Sequence, residues 1–339
     1  MKQAVLLFTL SIISFTKAQT IGQNYKRLTN LAELSITEAR YYDALREYNK
    51  AFEIANFSVD LYNAAACAAK LNDTKMVYSY SQKLAEKGVG EKFFRKKIFS
   101  PYKNDPAFIK IMKLAEQTKQ KNMKVNGTYN KQIQEFVTLD STYNRLRLTK
   151  YRELGHTPDT LENLFRTNTQ NIMAFIKVNG IYSEKKMGAR ISNDTIIRYM
   201  SKGDIVLLHY LEMGRDRQLI NEIKALFISN LSNGTITHYN VSQIMEMTDA
   251  VFGDTGMWLF KISLCKLYRK KEIEQLAEIN QTRRKCFLEN ITDLEKKLIF
   301  KYGTRNNFDF RYNITPSPVY DKEFFYSAFE EVVALHDCN

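Results

Sequence analysis

Four histidines occur in the 339 residues: His156, His209, His238 and His336. His209 has the setting in which an imidazole does chemistry. It stands in LLHYLE, among apolar residues at helical spacing, where burial can shift its proton affinity toward that of a general base. Tyr210 and Glu212 are close in sequence. Asp204 lies five residues upstream, which does not place it on the same helix face. The competing reading is a core histidine satisfied by one hydrogen bond. A metal site needs more ligands than this stretch supplies, so neither a metal nor a cofactor is expected. The chain has no HExxH helix, no P-loop lysine motif, no GxSxG elbow and no complete GxGxxG. GVGEKF, from Gly88 to Phe93, lacks the third glycine and reads as a turn.

Two polar stretches extend the possibilities around His209. Lys185, Lys186 and Arg190 lie in KKMGAR, and Tyr302, Thr304 and Arg305 lie in YGTR. If distant segments bring them to one cleft with His209, cationic donors, hydroxyls and an imidazole would suit a phosphate or carboxylate. The plainer alternative makes KKMGAR a solvated loop and YGT a helix end, with Gly303 in a left-handed C-cap.

The elements that must position these groups read as helices. Leu28, Leu31 and Ala32 recur 34 residues later as Tyr62, Ala65 and Ala66, and Ala44, Tyr48 and Ala51 recur as Tyr78, Gln82 and Ala85. Small residues at such points let paired helices approach closely while an aromatic fills the gap beside them. This spacing resembles tetratricopeptide repeats, whose period is about 34 residues. YYDALREYNKAFE fits that pattern best. The second repeat departs from it at Tyr78 and Gln82. In such repeats the first helix of each hairpin lines a groove for extended peptides. The resemblance therefore implies Asn63 and Lys70 as holders of a peptide backbone or carboxylate. Two repeats rarely bury a continuous core alone. NDPAFIKIMKLAEQ, with Asp105 as N-cap and Pro106 at the first helical position, supplies a capping helix.

KQKNMKVNGTYN, residues 119–130, is polar, basic and interrupted by Gly127, and marks the expected linker. Helical periodicity then resumes through Ile133, Phe136, Val137 and Tyr143, and through Leu161, Phe165, Ile172 and Ile176. It continues over 196–211, over Leu219 to Phe227 with a stop at Asn233-Gly234, over 239–251, over 257–302 and over 321–335. The expected fold is all-α: tetratricopeptide-like hairpins over 19–118, the linker, and a second helical domain over 131–339. Within the latter, Asn179-Gly180 with Tyr182 and KKMG, LLHYLE, SNG at Ser232 to Gly234, Asp249, YGT and PSPVYD form a recognisable set. Together they resemble an uncharacterised family of exported bacterial domains. The resemblance implies architecture and no activity.

MKQAVLLFTLSIISFTKA opens the chain with Lys2, an apolar run and small residues at Thr16 and Ala18. It reads as a signal peptide cleaved near Ala18, because the apolar run is shorter than the roughly 20 residues a spanning helix needs. No later stretch is apolar enough to span a bilayer. The expected protein is therefore exported, periplasmic or secreted. The full chain's formal charge of +13 drops by two with the leader's Lys2 and Lys17. A basic balance can attract an acidic partner or an anionic ligand, but lysines alternating with acids along helices read more simply as solvated faces, and export argues against nucleic acid. Cys67, Cys265, Cys286 and Cys338 contain no CxxC pair, and spacing alone does not assign a disulfide; Cys286 and Cys338 are one possible bridge. With 44 % hydrophobic residues and 13 glycines, the chain suits packed helices. The expected function is an interaction or scaffold protein of the bacterial envelope that binds a protein or peptide. The alternative is an enzyme or receptor for an anionic envelope ligand around His209.

Overall fold

The computed structural model describes residues 20–148, 158–194, 196–197, 202–213, 216–237, 240–241, 244–245, 256, 259–304, 306–310 and 322–336. The expected leader, His156, His238, Arg305, Asp249, PSPVYD and Cys338 lie outside them.

A capping box starts the first helix. The Thr20 hydroxyl accepts from the Gln23 amide, and the Gln23 side chain accepts from the Thr20 amide. Two donors that a helix start leaves open are thereby satisfied. α1 (Ile21–Thr37), α2 (Tyr41–Phe52), α3 (Ser58–Lys70) and α4 (Thr74–Glu86) follow through short loops, so each helix folds back on the one before it. Ala32, Ala44, Ala51, Ala65, Ala66 and Ala85 are all buried where the helices meet. α3 is buried around its whole circumference from Ser58 to Ala68, which makes it a core element. Tyr78, one of the two departures from the 34-residue pattern, turns to the next helix and packs on Phe108 with ring centroids 5.4 Å apart.

α5 (Pro106–Val125) begins as its sequence dictates, with the Asp105 carboxylate accepting from the Ala107 amide at 2.7 Å and Pro106 in the first turn. Phe108, Ile111 and Ala115 face inward. The basic stretch 119–130 is helical: α5 runs through it to a cap at Asn126, and α6 (Gly127–Leu148) starts immediately. α6, α7 (Pro158–Asn179), the single turn α8 (Glu184–Met187), α9 (Lys202–Met213) and α10 (Arg217–Ser232) follow. α6, α7, α9 and α10 share a core that includes Ile133, Phe165, Ile172, Leu207, Ile223 and Phe227. Between α8 and α9, β1 (Ile191–Ser192) and β2 (Ile196–Ile197) make a short antiparallel ladder.

The protein is mostly helical, but the all-helical expectation is corrected. Residues 257–302 do not form only long helices. β3 (Phe260–Ser263) and β4 (Lys266–Lys270) form a hairpin, followed by α11 (Leu276–Lys285) and α12 (Ile291–Gly303). The expected last helix is only α13 (Lys322–Ala328), after which the chain becomes β5 (Phe329–Ala334). The strand order is β3-β4-β5, all antiparallel. Ser263 pairs with Lys266, so Leu264 and Cys265 alone make the turn, both at positive φ (47° and 59°). A two-residue hairpin of the primed type needs that geometry, and Asn-Gly is its usual sequence signal. Leu-Cys hides it. Opposite charges across the ladder, Lys266 with Glu331 and Arg269 with Glu330, then favour a strand at 329–334.

These C-terminal elements complete the N-terminal core. Ala32, Tyr48, Leu61, Val77 and Phe99 belong to one buried cluster with Leu259, Ile262, Leu267, Leu294, Leu298 and Phe310. Cys265 is disulfide-bonded, while Cys67 and Cys286 are buried. Among the described residues no helix is long and apolar enough to cross a membrane.

Candidate functional site

His209 sits on α9 with its Nδ1 2.7 Å from the Asp140 carboxylate on α6. Asp140 is sealed from solvent and His209 is 22 % exposed. The ring also meets the edge of Phe165 on α7, at 6.4 Å between centroids. Lys202 Nζ donates to the Gln134 amide oxygen at 2.9 Å, and Arg147 donates to Glu212 at 3.3 Å. Residue numbers rise together on both helices, so α6 and α9 run parallel. His209–Asp140 is the middle of three polar pairs along their seam.

The basic loop does not join it. Lys186 caps α7 by donating to the Asn179 carbonyl, and its Nζ lies 4.0 Å from the Tyr129 ring centroid. Tyr129 and Asp140 are eleven residues apart on α6, which is about 16 Å of helix axis. Lys186 and His209 therefore meet α6 about three helical turns apart, one near its start and the other past its middle. Lys185 is exposed and Arg190 is half-buried. Tyr302 and Thr304 end α12, where the Thr304 hydroxyl donates to the Phe300 carbonyl at 2.7 Å and His336 Nδ1 lies 3.1 Å from the Tyr302 carbonyl. Gly303 is helical, not left-handed. It is glycine because a Cβ there would lie 2.6 Å from the Val333 side chain.

The working residue of the KKMG stretch is the one before it, which sequence reasoning passed over. Phe57 offers α3 no side-chain cap. Instead Glu184 accepts from the Ser58 amide at 2.9 Å and from the Ser58 hydroxyl at 3.0 Å, placing a carboxylate at a helix N-terminus. Burial raises the Glu184 proton affinity, against the pull of Lys87 and the two Ser58 donors. The cavity beside it, bounded by Tyr182, Ile236, Thr237 and Asn240, holds about 30 Å³, room for a water or two.

The expected peptide-holding residue, Asn63, is fully buried on α3, and its amide is taken up by the chain's own backbone. The Asp309 N–H donates to Asn63 Oδ1 at 2.7 Å, and Asn63 Nδ2 donates to the Asp309 carbonyl at 3.3 Å. Beside it the Tyr62 hydroxyl donates to the Asn307 carbonyl at 2.5 Å. Phe308 stacks on Tyr41 of α2 at 5.8 Å, and Phe310 is buried against Phe300 at 5.4 Å. The segment 306–310 is thus laid across the hairpins with its backbone read by side chains. Lys70, two helical turns beyond Asn63, is exposed in the last turn of α3.

A buried ionic cluster locks α1 to the C-terminal helices. Lys26 pairs with Glu289 at 2.7 Å, Lys297 pairs with Glu33, and Arg283 Nε donates to the Glu289 carbonyl at 2.6 Å. These charged side chains are essentially without solvent exposure. Burial lowers the Lys26 proton affinity despite Glu289. For Lys297 burial acts in the same direction, but Glu33 and Glu289 outweigh it and the net shift is upward. Nearby, Asp60 accepts from the Tyr25 hydroxyl at 2.6 Å, and its carboxyl is pushed up to about 8 by burial and then by the Glu33 charge. No family model, curated protein or solved structure matches the chain.

Proposed function

We propose that the chain is an exported, non-enzymatic interaction protein of the bacterial cell envelope. Its tetratricopeptide-like N-terminal hairpins hold an extended peptide segment of a protein partner. The observation that carries this reading is Asn63. One buried amide faces the backbone N–H and C=O of a single residue, as a strand edge does, and such backbone recognition is how grooves hold extended ligands. Export is supported by the leader-like first eighteen residues and by the disulfide at Cys265, a bond that persists in oxidising compartments.

A photoreactive phenylalanine analogue in place of Tyr41, incorporated in the native cell, tests the binding reading. Cross-links to an extended segment of another protein, lost when Asn63→Ala is added, are expected. Cross-links confined to the chain's own Phe308 region overturn it. N-terminal sequencing of the mature protein tests export: a chain beginning at Gln19 is expected, and a cytosolic chain retaining Met1 defeats it.

A further inference from the structure

Residues 306–310 meet the hairpins through groups that a different chain could also supply. The Asn307 and Asp309 carbonyls and the Asp309 N–H are the atoms that Tyr62 and Asn63 read, and every residue but proline carries them. Side-chain selection falls on Phe308, stacked on Tyr41, and on Phe310, packed on Phe300. The two aromatics are two residues apart, the spacing at which an extended chain presents side chains on one side. The segment is also shaped locally: the Phe308 amide donates to Asn306 Oδ1 at 3.0 Å, and Asn306 Nδ2 donates to the Thr304 hydroxyl at 3.1 Å.

We infer that residues 306–310 are a displaceable internal occupant of the Tyr41–Tyr62–Asn63 face, and that the partner is an extended peptide with aromatic residues two positions apart, which takes their place. This rests on the peptide-binding reading above and adds to it the ligand pattern and its regulation. With the internal segment seated, the face is open for only a fraction of the time, and the apparent affinity for an outside peptide falls by that fraction.

The test uses a fluorescein-labelled, end-capped peptide with the sequence of residues 304–312, and a scrambled control. It is titrated into the wild-type chain and into the variant F308A/D309P, which loses the stack on Tyr41 and the N–H that Asn63 accepts. Binding to the variant at least tenfold tighter than to wild type, absent for the scrambled peptide and abolished by adding N63A, is the expected result. Equal binding to wild type and variant leaves peptide recognition standing and overturns the internal occupant. No binding to either overturns both. A variant that dimerises in step with loss of peptide binding overturns the partner in favour of a second copy. Hydrogen exchange on the unmodified protein guards against a variant that fails to fold. The amides of Asp309 and Phe310 should exchange at least a hundredfold faster than those of Ala64 to Ala68. Equal protection makes the segment permanent core and ends the proposal.

Discussion

Asn63 and Asp309, 246 residues apart, are joined as neighbouring strands are joined, with a side-chain amide standing in for one of the two backbones. Replacing Asn63 by alanine leaves both Asp309 backbone groups and a buried pocket unsatisfied, a loss of about 1–3 kcal/mol. Tyr62→Phe removes a single hydrogen bond and should cost about 1 kcal/mol. Urea denaturation checks both, with N63A expected to be the more damaging.

Asp60 makes stability depend on pH in a defined direction. Its folded pKa of about 8 stands above the ordinary value of 3.8, so between these the native state holds a proton the unfolded chain has released. This contribution to stability is fully present below the ordinary value and is lost as pH rises through about 8. Asp60→Asn keeps an acceptor for Tyr25 and removes the titration. Unfolding free energy measured at pH 5 and pH 8 should fall less in D60N than in wild type. D60N should be the more stable of the two at pH 8.

The cluster around Lys297 predicts an asymmetry. Lys297→Met leaves Glu33 buried opposite an apolar group and should destabilise by about 3–5 kcal/mol. Combining it with Glu33→Leu removes both charges and should recover part of that loss. A double-mutant cycle in guanidinium unfolding reads the difference, and strictly additive losses would contradict a direct pairing.

His209 is a cross-link by its geometry. His209→Gln takes the imidazole from a sealed carboxylate and should cost about 1–3 kcal/mol, with Asp140→Asn costing less because it leaves no buried carboxylate behind. Thermal unfolding of H209Q within about 0.5 kcal/mol of wild type, the range of an inconsequential surface change, would reopen a chemical role.

Leu264 occupies a left-handed turn position and is 60 % exposed. Leu264→Asn should therefore gain about 1 kcal/mol by relieving backbone strain, seen as a higher melting temperature with the disulfide intact.

The N-terminal helices were legible because their signals are local. Thr20, Asp73 and Asp105 cap helices within three residues of themselves, and alanines spaced by 34 mark the crossings. β3, β4 and β5 were not, since Leu264–Cys265 lacks turn chemistry and FEEVVA is rich in helix formers until Lys266 and Arg269 face its glutamates. Asn63 could be recognised as a reader of backbone, yet what it reads lies far along the chain. His209 was identifiable as a histidine in apolar surroundings, but its partner Asp140 sits 69 residues away on another helix. Glu184 was hidden by the two lysines that follow it. Lys186 and His209 do not meet because they reach α6 at Tyr129 and Asp140, about three helical turns apart, a separation that spacing in the sequence does not reveal.

The long reach of the buried polar contacts has a bearing on how the molecule is made. Ser58 waits for Glu184, Glu33 for Lys297 and Asn63 for Asp309, separations of 126 to 264 residues. The hairpins leave the ribosome first, yet they carry bare carboxylates and amides in their interior until the last part of the chain arrives. Contacts so remote slow the conformational search. The native interior of the front half is therefore complete only once the C-terminal part of the chain is in place.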